Sequence, residues 1–384
     1  MHFAFSTAAR IIFGPGALRE AGLAARQFGR RAFVVTGDAP RRAERLLDLL
    51  AAEGVNATVF AFAGEPTTDV VVAAVARARA AGCDLVVGYG GGSRLDAAKA
   101  VAALLTNPGD VHDYLEIVGR AAPLTQPAAP CVAIPTTAGT GAEVTRNAVL
   151  AAPAHQIKVS LRSPFLLPRL ALIDPELTHD LPPALTASTG FDALAQLIEP
   201  RVSCRANPFT DALCAEGLRR IARALGPAFH DGHNAAARED MALASLFSGL
   251  ALANAGLGAV HGFASPIGGR FPAPHGATCA ALLPHVMAAN LQAARLRQRG
   301  GETPRHYAAV AGFLTDDATA TAEDGVRWVR ALAAELQIPG LRAYGVGPEH
   351  VTSLVDAAAR TSSMKGNPLP LTPDELAGIL LAAL

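Results

Sequence analysis

The chain has 384 residues, 51% of them apolar and only 17% charged, which is enough for two domains with substantial buried cores. Lys plus Arg equals Asp plus Glu, 33 each, a balance that argues against a broad nucleic-acid or anionic-membrane footprint. Five scattered cysteines (Cys83, Cys131, Cys204, Cys214, Cys279) without a CxxC pair suit a reducing cytoplasm better than a disulfide scaffold or a zinc knuckle. The opening MHFAFSTAAR has no basic region followed by a long apolar core, so no secretory signal is expected.

In chain order, short β-branched runs at 32–36 (AFVVT), 56–62 (NATVFAF), 84–88 (DLVVG), 131–134 (CVAI) and 170–173 (LALI) read as strands. Helical patterns near 40–53, 69–81 and 94–105 lie between them, the signature of parallel βαβ units. Residues 119–130 (GRAAPLTQPAAP) read as a surface loop. After Asp174-Pro175 the composition turns to long Ala/Leu-rich helical segments. The expected division is an α/β domain with a parallel sheet over 1–178 and an all-α domain over 179–384. Residues 241–260 carry no charge and pass a crude length test for a membrane span. Ser245, Ser248, Asn254 and three glycines dilute the segment, which is therefore expected to be a buried core helix delivering His261 at its end.

Two turns in the first domain have phosphate-binding character. DLVVGYGGGSRLDAAKAVAALL sets a triple glycine between a buried strand and a helix, where backbone N–H groups and the helix N-terminus favour an anion. Ser93 can cap that helix or hold phosphate, and Asp96 lies in its first turn. IPTTAGTGAEVTRN (134–147) follows another strand and offers the hydroxyls of Thr136, Thr137, Thr140 and Thr145. In a parallel sheet such turns converge on one crevice, which favours a dinucleotide over two self-satisfied loops.

In the second domain, GFDALAQLIE (190–199) places Asp192 and Gln196 one turn apart on one face of a helix. His261 and His275 are separated by GFASPIGGRFPAP, too rich in Pro and Gly for a single helix, and His275-Gly276 opens the next apolar helical segment. Imidazole, carboxylate and amide oxygen together suit a divalent first-row metal. On residue types alone, a helix cap or a hydrogen-bonded core position is the commoner fate of such histidines.

GGGSRLDAAKAVA, PTTAGTGAEVT, Lys158 followed by SPFLLPRLALIDPELTHDLPPALTASTGFDAL, and HGATCAALLPHVMAAN together resemble the iron-containing (group III) alcohol dehydrogenases, in order and nearly end to end. The resemblance implies the dehydroquinate synthase-like fold: a dinucleotide-binding α/β domain, an all-α metal-binding domain, and an active site in the cleft between them. It implies NAD or NADP as cofactor, a divalent metal (Fe²⁺, or Zn²⁺ as the other possibility), a small alcohol or aldehyde as substrate, and a homo-oligomer such as a dimer. Residue by residue it assigns Gly91, Gly92, Ser93 and Asp96 to pyrophosphate and ribose, and Thr67, Thr136, Thr137, Thr145 and Lys158 to further cofactor contacts. Asp192, His261 and His275 match three of the family's four metal ligands, and Gln196 stands at the fourth, an imidazole in the family.

Three departures accompany the match. An amide oxygen at Gln196 is a harder and weaker ligand than imidazole, which lowers metal affinity. Retention of a buried Asp192 and two histidines argues that a metal is still bound. Ser265 occupies the position, four residues after His261, where the family places a histidine of the proton relay; a serine passes a proton but is no base near neutral pH. After Thr36 comes Gly37 in place of the acid of NAD-selective members; Asp38 follows it, with Arg41 and Arg42 nearby, and NAD against NADP stays open. The resulting reading is an NAD(P)-dependent alcohol dehydrogenase in which the metal polarises the oxygen. A metal-free reductase of the maleylacetate reductase type and a catalytically decayed dinucleotide-binding protein are the rival readings.

Overall fold

The computed structural model describes residues 2–298 and 300–384. The chain forms two compact units, one of Thr7–Thr137 with Gly141–Thr178, the other of His179–Leu384 with Ala138–Thr140 and the N-terminal residues up to Ser6. Hydrogen bonds explain why the two short segments join the helical unit. Asn254 brackets the backbone of Ser6, and the Gly139 carbonyl accepts from Ser248 Oγ at 3.3 Å.

The first unit contains β1 (Ile11–Phe13), α1 (Ala21–Arg26), β2 (Arg31–Gly37), α2 (Glu44–Ala52), β3 (Asn56–Phe62), α3 (Thr68–Ala80), β4 (Leu85–Gly90), α4 (Gly92–Thr106), α5 (Val111–Tyr114), β5 (Cys131–Pro135), β6 (Asn147–Ala152), β7 (Ile157–Arg162) and β8 (Leu170–Ile173). Six strands make an all-parallel sheet in the order β1-β8-β5-β4-β2-β3, and β6 and β7 form a separate antiparallel hairpin. Because successive side chains on a strand point to opposite faces, β2 feeds two cores. Val34 packs with Leu18, Leu46 and Leu50 on one side, while Phe33 and Val35 pack with Val71 and Val101 on the other. Helices therefore cover both faces, as a parallel sheet requires. From β2 the chain moves outward to β3 and then crosses to β4 on the other side of β2. The switch point of the sheet thus lies between β2 and β4, at the ends where Gly37 and Gly90 stand.

The second unit is helical: α6 (Pro183–Val202), α7 (Pro208–His230), α8 (Ala235–Ala255), α9 (Ala259–Arg270), α10 (His275–Arg297), α11 (Glu302–Thr315), α12 (Ala322–Glu335), α13 (Val351–Ala359) and α14 (Pro373–Ala383). Helix α6 is the central element, with Phe191, Leu194, Leu197 and Ile198 fully buried against neighbouring helices.

The segment 241–260 is not the single helix expected. It breaks at residues 256–258, and α8 and α9 meet at 100°. Gly256 has φ +73°, a left-handed conformation that L side chains rarely adopt and that an α-helix cannot contain. The break places His261 in the first turn of a new helix instead of at the end of the old one. Among the described residues no single helix is long and apolar enough to cross a membrane; only the bent pair α8 and α9 passes such a test together.

Candidate metal centre

Helix α6 carries Asp192, Gln196 and Glu199 at i, i+4 and i+7, one face of a helix, and all three are at most 4% exposed. Opposite that face, α9 and α10 each begin with the residues that matter. Helix α10 starts at His275, with Pro274 at its N-cap, and His261 is the third residue of α9. Both helix starts approach closely through glycine. A Cβ on Gly276 would lie 2.1 Å from the Ser188 carbonyl oxygen of α6, and one on Gly258 would lie 2.9 Å from Glu199 Oε1. The linker between the two histidines is not a single helix, as expected: α9 continues as far as Arg270 with Pro266 inside it, and the chain then breaks before α10.

Around Asp192 Oδ1 the donor atoms converge. His261 Nε2 lies 3.3 Å from it and His275 Nε2 3.5 Å. Cys279 Sγ lies 3.8 Å from each of those two nitrogens, and the four donor atoms are all within 4.8 Å of one another. Asp192, His261 and Cys279 are buried, and the His275 side chain is 35% exposed. Behind His261, Nδ1 donates to Glu199 Oε2 at 2.6 Å, while Glu199 Oε1 accepts from Val260 N at 2.7 Å. One carboxylate thus satisfies an otherwise orphaned N–H in the first turn of α9 and fixes the imidazole tautomer, leaving Nε2 free to bind.

Gln196 Nε2 donates to the Gly139 carbonyl at 3.4 Å. Its Oε1 is buried and accepts from no protein group. An orphaned buried acceptor of this kind costs about 1–3 kcal/mol. The carboxylate, two imidazoles and sulfur that converge one turn away make a donor set that fits a divalent cation.

The charges agree with that fit. Burial disfavours the Asp192 carboxylate, but the His275 and His261 imidazoles and the Gln196 amide outweigh it and hold the carboxyl below its ordinary range. Burial likewise opposes charge on His261, His275 and Cys279. The sulfur and the carboxylates nevertheless push both imidazoles up, His261 well above its ordinary value, and the two imidazoles draw the thiol down. Carboxylate and sulfur drawn toward their charged forms beside two imidazoles are donors from which a cation displaces protons. Ser265 stands one turn beyond His261 on α9 and is half-buried.

The cofactor candidates lie in the first unit. Gly91 is the N-cap of α4, and Gly92 and Ser93 are its first residues. The turn after β5 runs alongside, since Gly90 and Pro135 pair in register and Thr136 N donates to the Gly90 carbonyl. A Cβ on Gly91 would lie 3.2 Å from the Thr137 side chain, so the two turns touch. Ser93 Oγ donates to Glu65 Oε2 at 3.3 Å, and Lys158 Nζ lies 3.1 Å from Glu65 Oε1. Three more of the expected contacts have structural partners. Asp96 accepts from Val149 N and is paired with Lys99. Thr145 Oγ1 accepts from the same buried Lys99, and Thr67 caps α3 by accepting from Val70 N. Asp38 is exposed beyond the end of β2. The guanidinium within 4 Å of where a Gly37 Cβ would sit is that of Arg94; it donates to the Phe62 and Gly64 carbonyls and lies over the Phe62 ring.

Reading the sequence passed over Glu199, Cys279, Glu65 and Arg94. Glu199 and Cys279 had a signal, being respectively seven residues after Asp192 and four after His275 on helical faces already singled out. Glu65 and Arg94 had none, because only the fold brings them beside Lys158 and Gly37.

A model of the iron-containing alcohol dehydrogenase family matches residues 8–175, and one of the C-terminal part of the Fe-containing alcohol dehydrogenase family matches residues 186–384. Alcohol dehydrogenase 4 of Saccharomyces cerevisiae is 35% identical over 377 residues, covering 97% of this chain and 96% of that protein. The crystal structure of a 1,3-propanediol oxidoreductase superposes with a TM-score of 0.93 at 34% identity over 100% of both chains. A sulfoacetaldehyde reductase from Bifidobacterium kashiwanohense, solved with NAD⁺, gives a TM-score of 0.85 at 28% identity, covering 100% of this chain and 99% of that one.

Proposed function

The chain belongs to the iron-containing alcohol dehydrogenase family, and on that premise we propose that it interconverts small primary alcohols and their aldehydes with NAD(H), using a divalent cation held by Asp192, Gln196, His261 and His275. The observation that carries this reading is the convergence of both imidazoles on Asp192 Oδ1, with Gln196 one turn further along the same helix. A divalent cation supplies Lewis acidity at such a centre, drawing density from an alcohol or carbonyl oxygen so that the hydroxyl proton leaves more readily.

The protein's own part is positioning and proton handling. Asp192 supplies the negative charge, and Glu199 orients His261 through Nδ1. Ser265, one turn from His261, passes the substrate proton on through its hydroxyl without storing it, since a serine is no base near neutral pH. The dinucleotide, as hydride acceptor, is held by Gly91, Gly92 and Ser93 at the start of α4, by Thr136 and Thr137 in the adjoining turn, and by Lys158. This matches the general placement of such ligands at the switch point of a parallel sheet. Asp96 and Thr145 support the second turn through Lys99, and Thr67 caps α3 nearby in sequence after β3. Asp38 accepts from the ribose 2′-hydroxyl and repels a 2′-phosphate, which favours NAD(H) over NADP(H), and both terminal nitrogens of Arg94 donate to backbone carbonyls. Cytoplasmic location and a homo-oligomer complete the reading. The former is supported by five free thiols among the described residues.

The test is anaerobic purification, removal of metal with a chelator, and assay of NADH oxidation with short aldehydes before and after adding back Zn²⁺ or Fe²⁺. Activity lost on chelation and restored by metal is expected. Activity indifferent to the chelator, or none with any metal and either cofactor, overturns the proposal.

A further inference from the structure

We propose that Cys279 is itself a ligand of the cation, replacing the imidazole that Gln196 lacks and turning an iron-family centre into one that prefers Zn²⁺. The inference rests on the reading above that a divalent cation binds at Asp192, His261 and His275.

Three observations carry it. First, Cys279 sits one turn after His275 on α10, so it shares the face of that helix that meets α6 and α9, and it is fully buried there. Second, its sulfur is 3.8 Å from both His261 Nε2 and His275 Nε2. A thiol has one proton and can direct it to only one nitrogen, whereas a shared cation draws sulfur equally toward both.

Third, four of the six spacings among these donors are close to those of a coordination polyhedron. Bonds of about 2.0–2.1 Å to nitrogen or oxygen and about 2.3 Å to sulfur, set tetrahedrally, separate oxygen from nitrogen by about 3.3 Å and nitrogen from sulfur by about 3.6 Å. Asp192 Oδ1 lies 3.3 and 3.5 Å from the two imidazoles, and the sulfur 3.8 Å from each, so small movements would close the site.

The chemistry points to the metal. Gln196 offers a hard neutral oxygen, while a thiolate is soft and anionic, and Asp with two His and one Cys is a donor set that suits Zn²⁺. Cys279 thereby restores four strong protein donors, and Gln196 is left as the readily exchanged one.

Cobalt substitution and chelator competition test this on the full-length protein, with NADH binding followed in parallel as a check on folding. Wild type loaded with Co²⁺ is expected to show an intense sulfur-to-cobalt charge-transfer band in the near ultraviolet, absent in Cys279→Ser. The same substitution should weaken Zn²⁺ binding about tenfold or more, with a smaller loss for Fe²⁺. Adding Gln196→His to Cys279→Ser should recover the Zn²⁺ affinity without the band. Co²⁺ bound by wild type without the band, with Zn²⁺ affinity unchanged in Cys279→Ser, overturns the assignment of the thiol and leaves the metal reading standing. Failure of wild type to bind Co²⁺, Zn²⁺ or Fe²⁺ overturns both.

Discussion

Glu199 and His261 are joined by a 2.6 Å hydrogen bond from Nδ1 to Oε2, sealed inside the helical unit with both side chains nearly fully buried. The carboxylate touches neither Asp192 nor Cys279 through any bond of its own, yet it decides which nitrogen of His261 faces them. The substitution Glu199→Gln keeps the volume and the bond to Val260 N but removes the charge that favours the Nδ1–H tautomer. Zn²⁺ affinity is expected to fall about 10- to 100-fold, the usual effect of losing such an orienting partner. Chelator competition on the purified variant measures this, and an affinity unchanged from wild type would show that the bond serves only the start of α9.

Gly276 sets how closely α10 approaches α6. A methyl group there would meet the Ser188 carbonyl oxygen at 2.1 Å, which backbone can relieve only by moving one helix away from the other. Gly276→Ala should therefore destabilise the protein by about 1–3 kcal/mol or more, as overpacking does. It should also lower metal affinity, because His275 is the neighbouring residue. Gly378, exposed in α14 and with nothing within 4 Å of where a methyl group would sit, is the control. Gly378→Ala should raise stability by about 0.5–1 kcal/mol. Thermal melts of the two variants should move in opposite directions.

Much of this molecule is legible in its sequence, and the rest is hidden for particular reasons. The runs around Val34, Val59, Val86 and Val132 read as parallel strands because β-branched residues between turn signals have few other uses. The short edge strand Ile11–Phe13 and the hairpin Asn147–Arg162 escape that reading: one is too short for a pattern, and the other is alanine-rich and pairs outside the main sheet. The break at Gly256 is invisible to hydropathy, since the segment is apolar on both sides and only a positive φ reveals the turn. Asp192, Gln196, His261 and His275 can be named from their resemblance to a family pattern. That Cys279 lies between the two imidazoles depends on how α10 crosses α6 and on where α9 begins.

Cofactor choice should turn on Asp38. Its exposed carboxylate follows directly on β2 at the switch point, where an acid accepts from a ribose 2′-hydroxyl and opposes a 2′-phosphate. Asp38→Ala is expected to raise the ratio of kcat/KM for NADPH to that for NADH about tenfold, a change of about 1.4 kcal/mol in relative binding. Steady-state kinetics with both cofactors give the ratio directly. A ratio that does not move would remove Asp38 from the cofactor site.

Glu143 gives the α/β unit a pH-dependent liability. Its side chain is 2% exposed beside Lys99, and burial pushes its carboxyl from 4.5 up to about 7 against the opposing pull of a backbone hydrogen bond and of Lys99. Since the folded pKa lies above the unfolded one, the native state holds this proton more tightly. Stability from this residue is then fully present below about pH 4.5, falls as pH rises toward 7, and stays lost above it. The difference corresponds to about 3 kcal/mol at pH 8 relative to pH 4. Glu143→Gln has no proton to lose, so its stability relative to wild type should rise across that window and level off above neutrality. Denaturant melts of both proteins at pH 4, 6 and 8 separate this from every other titrating group, because only the difference between them reports Glu143. A difference that stays flat with pH would mean that Glu143 titrates alike in the folded and unfolded protein, so that burial does not hold its proton.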